Sequence, residues 1–147
     1  MEKTELKALE PPLQIVQLLH SRWAVQALKS ALELKVFSSL APEPLEAAGL
    51  GKKLSLNQEG CRLLLNALCS LGFLKKQSDK YELAESARLY LDEQSPYFLG
   101  GYILDEAVPQ AWSRLNESLK SGKPVNSVNQ DLKAEEFFPR LAANIFP

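Results

Sequence analysis

The sequence predicts a mainly α, winged-helix-like domain with a small β-hairpin wing. Three observations in one stretch, Leu45 to Leu83, carry that prediction. Cys61, Leu64, Leu65, Leu68 and Leu71 recur at i, i+3, i+4, i+7 and i+10, one face of an α-helix. Gly72 follows that face, where a residue without a Cβ ends a helix in the left-handed conformation. Phe73 and Leu74 then begin a strand, Ser78-Asp79-Lys80 turns the chain, and Tyr81 and Leu83 return at period two, pointing to one face of a hairpin.

Taken in order, residues 1–12 form a lead-in. Pro11 and Pro12 mark a helix start, since proline fits the first helical turn. From Leu13 to Lys29 the pattern is helical with two apolar stripes. Val16, Leu19, Trp23 and Ala27 form one; Ile15, Leu18, Val25, Leu28 and Leu32 form the other. A helix apolar around so much of its circumference must be covered on more than one side. The chain's own core can cover one side; the second side is covered either by a partner subunit or, in a central core helix, by this chain as well, and the homodimer is the expectation. The dimer interface is expected at Ile15, Val16, Leu18, Leu19, Trp23, Val25 and Leu28. A second short helix is expected over Ala31–Leu40, ending near the Pro42-Glu43-Pro44 break, with a short strand at Leu45.

Ala47–Leu54 is expected to be the first helix of the winged unit. Gly49 and Gly51 each weaken it by roughly 1 kcal/mol against alanine, so packing of Leu50 and Leu54 must hold it. Asn57 is the N-cap of the next helix, its side chain free to accept from a first-turn amide. Beyond the hairpin the pattern predicts a helix over Glu85–Leu91, an aromatic helix from Tyr97 opened by Ser95-Pro96, and a helix opened by Pro109. That last helix has Val108, Trp112, Leu115 and Leu119 on one face, Trp112 read as core, and ends at Gly122. A polar loop then leads to a final helix over Glu135–Phe146. The chain stops at Phe146-Pro147 without a cap or tail, which reads as the start of something longer.

Composition narrows the function. The chain has 147 residues, 46% of them hydrophobic, enough for one domain with a core; residues 13–147 are read as that domain. A net charge of -1 supplies no global field toward nucleic acid or acidic lipid. Charges interrupt every apolar run short of membrane-spanning length, and the N-terminus lacks the apolar core of a signal peptide. Cys61 and Cys69 lie eight residues apart on one predicted helix, roughly 12 Å, too far to bridge. Reduced thiols in a cytoplasmic protein are the expectation.

Catalytic signals are weak. Gly49-Leu50-Gly51 is the only GxG, and it lies inside a helical pattern rather than between a strand and a helix. His20, the only histidine, has no adjacent carboxylate or second ligand, and is read as a helix-face residue at a subunit contact. No HxxxH, CxxC or GxSxG pattern occurs, so no metal or nucleophile site is argued. Trp23 and Tyr102 remain candidates for the lining of a substrate pocket. Lys52, Lys53, Arg62, Lys75, Lys76 and Lys80 lie on the winged unit, and a DNA-binding regulator would use Arg62, Asn66, Lys75 and Lys76. The outward face of the second helix, however, offers one cation and one repelling carboxylate among Glu59, Arg62, Asn66 and Ser70, which speaks against DNA.

From Leu13 onward the chain resembles the N-terminal dimerisation domain of S-adenosylmethionine-dependent small-molecule O-methyltransferases. The matching stretches are LLHSRWAVQALKSALELKVFSSL, LEAAGLGKKLSLNQEGCRLLLNALCSLGFL, YELAESARLYL, SPYFLGGYI and WSRLNESLKSGKPV, in that order and spacing. The resemblance implies a winged-helix-like domain whose first helices interlock with a partner's. It implies S-adenosylmethionine for the full-length parent and no cofactor bound by this chain. It also implies a small-molecule substrate only in the company of a catalytic domain. Two departures stand out: Glu46 occupies a position where a capping Ser or Thr is common, and Ala84-Glu85 replaces a common Thr-Pro. The glycine-rich cofactor loop and catalytic histidine of the family's Rossmann-type domain have no counterpart in these residues. Two function classes follow: a dimerisation and substrate-lid domain of an O-methyltransferase, and a small winged-helix DNA-binding regulator.

Overall fold

The computed structural model describes residues 12–106, 110, 112–124, 139 and 142. The long helix α1 spans Leu13–Glu33, with Pro12 accepting the first helical bond from the Val16 amide at 3.0 Å. It runs a turn past the expected end. Ala31 and Leu32 are buried, so core packing, not local propensity, carries the helix through. Lys35 takes a left-handed backbone (φ 58°), and its amide donates to the Leu32 carbonyl at 2.9 Å, ending α1 without a glycine. The second helix, α2, is therefore shorter than expected, Val36–Leu40.

The winged unit follows. Strand β1, Leu45–Glu46, leads into α3, Ala47–Lys53, and then α4, Gln58–Ser70. Asn57 caps α4 as expected: its Oδ1 accepts from the Glu59 and Gly60 amides, both at 3.0 Å. Neither Glu46 before α3 nor Ala84 before the next helix makes a side-chain cap bond. Gly72 is left-handed (φ 79°). The Gly72 amide donates to the Cys69 carbonyl and the Phe73 amide to the Leu68 carbonyl, each at 3.0 Å, the paired bonds that close a helix C-terminus. The hairpin is β2, Leu74–Gln77, and β3, Lys80–Leu83, joined through Ser78, whose φ is 53°. Phe73, expected to open the strand, lies just outside β2, and its carbonyl accepts from the amide of Ala84, the residue after β3, at 2.9 Å. The sheet has order β1-β3-β2 and is antiparallel throughout, with Leu45 opposite Tyr81 and Leu74 opposite Leu83.

One core joins these elements: Ala31, Leu32, Val36, Phe37, Leu40, Leu50, Cys61, Leu65, Leu68, Leu74, Tyr81, Leu83, Ala87 and Leu91. The predicted α4 stripe is correct at Cys61, Leu65 and Leu68 and partial at Leu64. Leu71 is a correction: it is the C-cap, and the turn at Gly72 swings it out to solvent.

After β3, α5 spans Glu85–Tyr90, close to its expected bounds. The aromatic helix begins later than the sequence suggested. Residues 92–99 form turns, in which the Ser95 hydroxyl caps the Tyr97 amide at 3.2 Å, and α6 covers only Gly100–Leu104. Gly100 has its reason here. The Phe98 ring lies over it so closely that a Cβ would stand 2.0 Å from the ring. Helix α7 spans Leu115–Ser121 and ends at the left-handed Gly122 (φ 66°), as predicted. Trp112 is a second correction: it is 66% exposed, not core. Val108, Pro109 and most of the final predicted helix lie outside the described residues.

Candidate dimer interface

Helix α1 divides along its length rather than only around its circumference. In its last turns Ala31 and Leu32 are buried, and Leu28 packs against the core they belong to. In its first turns both predicted stripes face solvent: Leu18 is 74% exposed, Trp23 67% and Leu19 64%, with Leu13, Ile15 and Val25 also exposed and Val16 half-buried. The expectation of one stripe for the core and one for a partner is thereby revised. The residue types on the two stripes are alike. What separates the two halves of the helix is burial, since Leu28, Ala31 and Leu32 near its C-terminus join the core and the hydrophobic residues of its first turns do not.

Within the exposed half, His20 and Trp23 stack with ring centroids 4.7 Å apart and 23° between planes. The Ser21 hydroxyl donates back to the Leu18 carbonyl at 2.6 Å, so that polar side chain is folded against its own helix. Arg22 is the one charged residue between Leu13 and Leu28, and Gln14, Gln17 and Gln26 are exposed among the hydrophobic side chains. These large hydrophobic side chains lie together on one helix and not scattered singly over the surface.

At the core end, Lys29 is buried along its stem and its ammonium pairs with Glu106, which follows α6. This contact ties α6 to α1. Tyr102 lies on α6 and is exposed, like Trp23 on α1, so the two pocket candidates sit on neighbouring helices.

The residues of the DNA reading are committed elsewhere. The Arg62 guanidinium donates to Glu59 (Nε to Oε2, 2.9 Å), which raises its already high pKa and holds the Glu59 carboxyl below its usual range. Asn66 accepts the Tyr81 hydroxyl at 2.8 Å, and the Lys76 ammonium lies 5.1 Å from the Tyr81 ring centroid. Among the described residues Lys75 makes no hydrogen bond, ion pair or ring contact. No local pattern announces the Asn66–Tyr81 bond, since its partners are 15 residues apart on different elements. Among the described residues no group of three or more His, Cys, Asp or Glu could hold a metal ion, and no helix is long and apolar enough to cross a membrane. Both cysteines are free thiols.

The fold is that of a mainly helical domain with a small β wing. The family model for the O-methyltransferase dimerisation domain matches residues 16–93, from the exposed part of α1 through α5. The chain belongs to that family. It is 35% identical over 115 residues to the tetracenomycin polyketide synthesis 8-O-methyltransferase of Streptomyces glaucescens, covering 76% of this chain and 34% of that protein. A Nostoc punctiforme structure assigned as an O-methyltransferase superposes with a TM-score of 0.77 at 21% identity, over 91% of this chain and 42% of that one. Human N-acetylserotonin methyltransferase, solved in complex with S-adenosylmethionine, superposes with a TM-score of 0.68 at 24% identity, over 97% and 43%. The chain thus spans about a third of the length of the curated relatives it matches.

Proposed function

We propose that this chain is the dimerisation and substrate-lid domain of an S-adenosylmethionine-dependent O-methyltransferase, and that it is not catalytic by itself. The observation that carries the reading is the exposed apolar first half of α1, set within the stretch that matches the dimerisation family. Ile15, Val16, Leu18, Leu19, Trp23 and Val25 pack against the same residues of a second copy, the two α1 helices interlocking. Leu28 supports this contact from the side of the core.

Closing such a surface removes it from water, which is the main favourable term in association. Trp23 and Tyr102 sit at the margin of that interface, on α1 and α6. From there they shield a small-molecule substrate held by a catalytic domain. The methyl donor binds in that domain, where a glycine-rich strand–helix turn can cradle it; these residues contain no such turn.

Sedimentation of the chain across a concentration series tests the association, and a dimer is expected. A monomer at every concentration would refute it. Calorimetric titration with S-adenosylmethionine tests the other half of the reading. No heat is expected at millimolar cofactor, and saturable micromolar binding would show that this chain carries a cofactor site.

A further inference from the structure

We infer that α6 is a hinged flap held closed by the Lys29–Glu106 pair, with Lys29 the positioning residue for Tyr102. The consequence for a substrate rests on the lid reading of Tyr102 above. The flap itself is a property of this chain.

Helix α6 does not hold itself. It has five residues, Gly100–Leu104, fewer than a helix needs to be stable alone, and it opens on two glycines, which are poor helix formers. Its beginning is its fixed end. The Leu99 amide donates to the Tyr90 carbonyl at 2.8 Å, which anchors the residue before α6 to the end of α5. The Phe98 ring lies over Gly100 beside that anchor. Gly100 and Gly101 then supply adjacent backbone units with the fewest steric limits on rotation, the place where α6 can pivot. Ile103 and Leu104 rest half-buried against the core, and Tyr102 beside them is exposed.

The far end of α6 is closed by charge. The Lys29 side chain is 10% exposed and that of Glu106 is 58% exposed, so a carboxylate reaches in from solvent to a cation set in the core end of α1. This asymmetry is that of a catch. A lysine buried so far is held there with a partner, and losing the partner leaves a charge stripped of most of its water. Glu106 keeps water on more than half of its surface, so its own cost on release is small. With the catch closed, both ends of α6 are fixed and Tyr102 with them. With the catch open, α6 turns on Gly100 and Gly101 and carries Tyr102 with it.

The test is native-state hydrogen exchange on the full 147-residue chain. It is read at the Ile103 and Asp105 amides, which donate to the Leu99 and Tyr102 carbonyls, against the amides of α4. Lys29→Met keeps an apolar stem and removes the cation. Exchange in α6 should rise about tenfold or more, as expected for a lost hydrogen bond between charged groups, while α4 keeps its protection. Glu106→Gln should act in the same direction. Lys29→Glu sets two carboxylates together and should open α6 further, and adding Glu106→Lys should restore its protection. No substrate enters the measurement, so a failure of the lid reading leaves these results as they stand. Unchanged α6 exchange in Lys29→Met overturns the catch. An equal rise in α4 and α6 overturns it too, since the pair would then support the whole fold and not one helix. A double variant whose α6 exchanges as fast as that of Lys29→Glu overturns the pairing as the cause.

Discussion

The Tyr81 hydroxyl donates to Oδ1 of Asn66 at 2.8 Å, joining the middle strand of the wing to the outward side of α4. Tyr81 is buried, so its ring belongs to the core while its polar end reaches a partner at the surface. Tyr81→Phe keeps the ring and removes the bond. The expected loss is about 0.5–1.5 kcal/mol in urea denaturation, the usual net worth of such a bond. Asn66→Ala should cost a similar amount or slightly more, because it leaves the phenol unpaired. Additive losses in the double variant would show that the two side chains do not act as one pair.

Leu68 is fully buried at the centre of α4, in one cluster with Leu50, Leu74 and Tyr81, with Leu54 packed against it. Leu68→Ala should cost about 2–5 kcal/mol. Helix α3 has little propensity of its own, so the lost packing should be felt there first. Faster hydrogen exchange confined to Ala47–Leu54 and the hairpin is the expected pattern. Unchanged protection in those residues would show that α3 does not depend on this contact.

The two glycines of α3 behave differently, and the sequence alone treated them alike. A Cβ at Gly49 would meet nothing within 4 Å, so Gly49→Ala should stabilise the chain by about 0.5–1 kcal/mol through helix propensity alone. Gly51 is buried where α3 approaches α4, and a Cβ there would touch the Leu56 carbonyl at 3.5 Å and the Cys61 Cβ at 3.6 Å. Those are ordinary contact distances, so Gly51→Ala should be tolerated, while Gly51→Val should not. Thermal melting of the three variants separates the two roles.

Burial raises the pKa of both thiols, Cys61 by desolvation alone and Cys69 by desolvation partly offset by the Lys76 charge. The folded chain therefore holds these protons more tightly than the unfolded one. The stability this lends is fully present below the unfolded thiol value of about 8.5 and is lost as pH rises through the higher folded value. Labelling by an aromatic disulfide reagent should be slow at pH 7. Between pH 7 and pH 9.5 the urea midpoint of the wild type should fall further than that of Cys69→Ala. An equal fall in both would remove Cys69 from the alkaline transition.

What the sequence made legible was whatever depends on short-range pattern. The Asn57 cap, the Gly72 and Gly122 stops, the α4 face and the period-two pair Tyr81 and Leu83 all lie within a few residues of the signals that announce them. What it hid depends on long-range packing. Lys35 and Ser55 take left-handed backbones with no glycine to mark them. Lys29 looks like a surface lysine until Glu106, 77 residues away, pairs with it. Trp112 carries the same helical spacing as a core residue, and only the folded chain shows it exposed. The candidate interface was half legible. Its residue types were readable from the stripes of α1, but where the core ends along that helix was not.

Leu19 gives the most direct test of that interface. It is exposed in the single chain, so replacing it should not disturb the fold, and far-UV circular dichroism and melting of dilute Leu19→Asp should match the wild type. In a symmetric dimer the same residue is buried twice. Losing two leucine contacts removes about 3–6 kcal/mol of apolar burial. That alone weakens the dimer by roughly two to four orders of magnitude. Two carboxylates enclosed near each other weaken it further. The expected result by sedimentation is a folded monomer at concentrations where the wild type is a dimer. If Leu19→Asp dimerises as strongly as the wild type, α1 is not the contact, and the exposed Trp112, Leu115 and Leu119 become the surface to vary next.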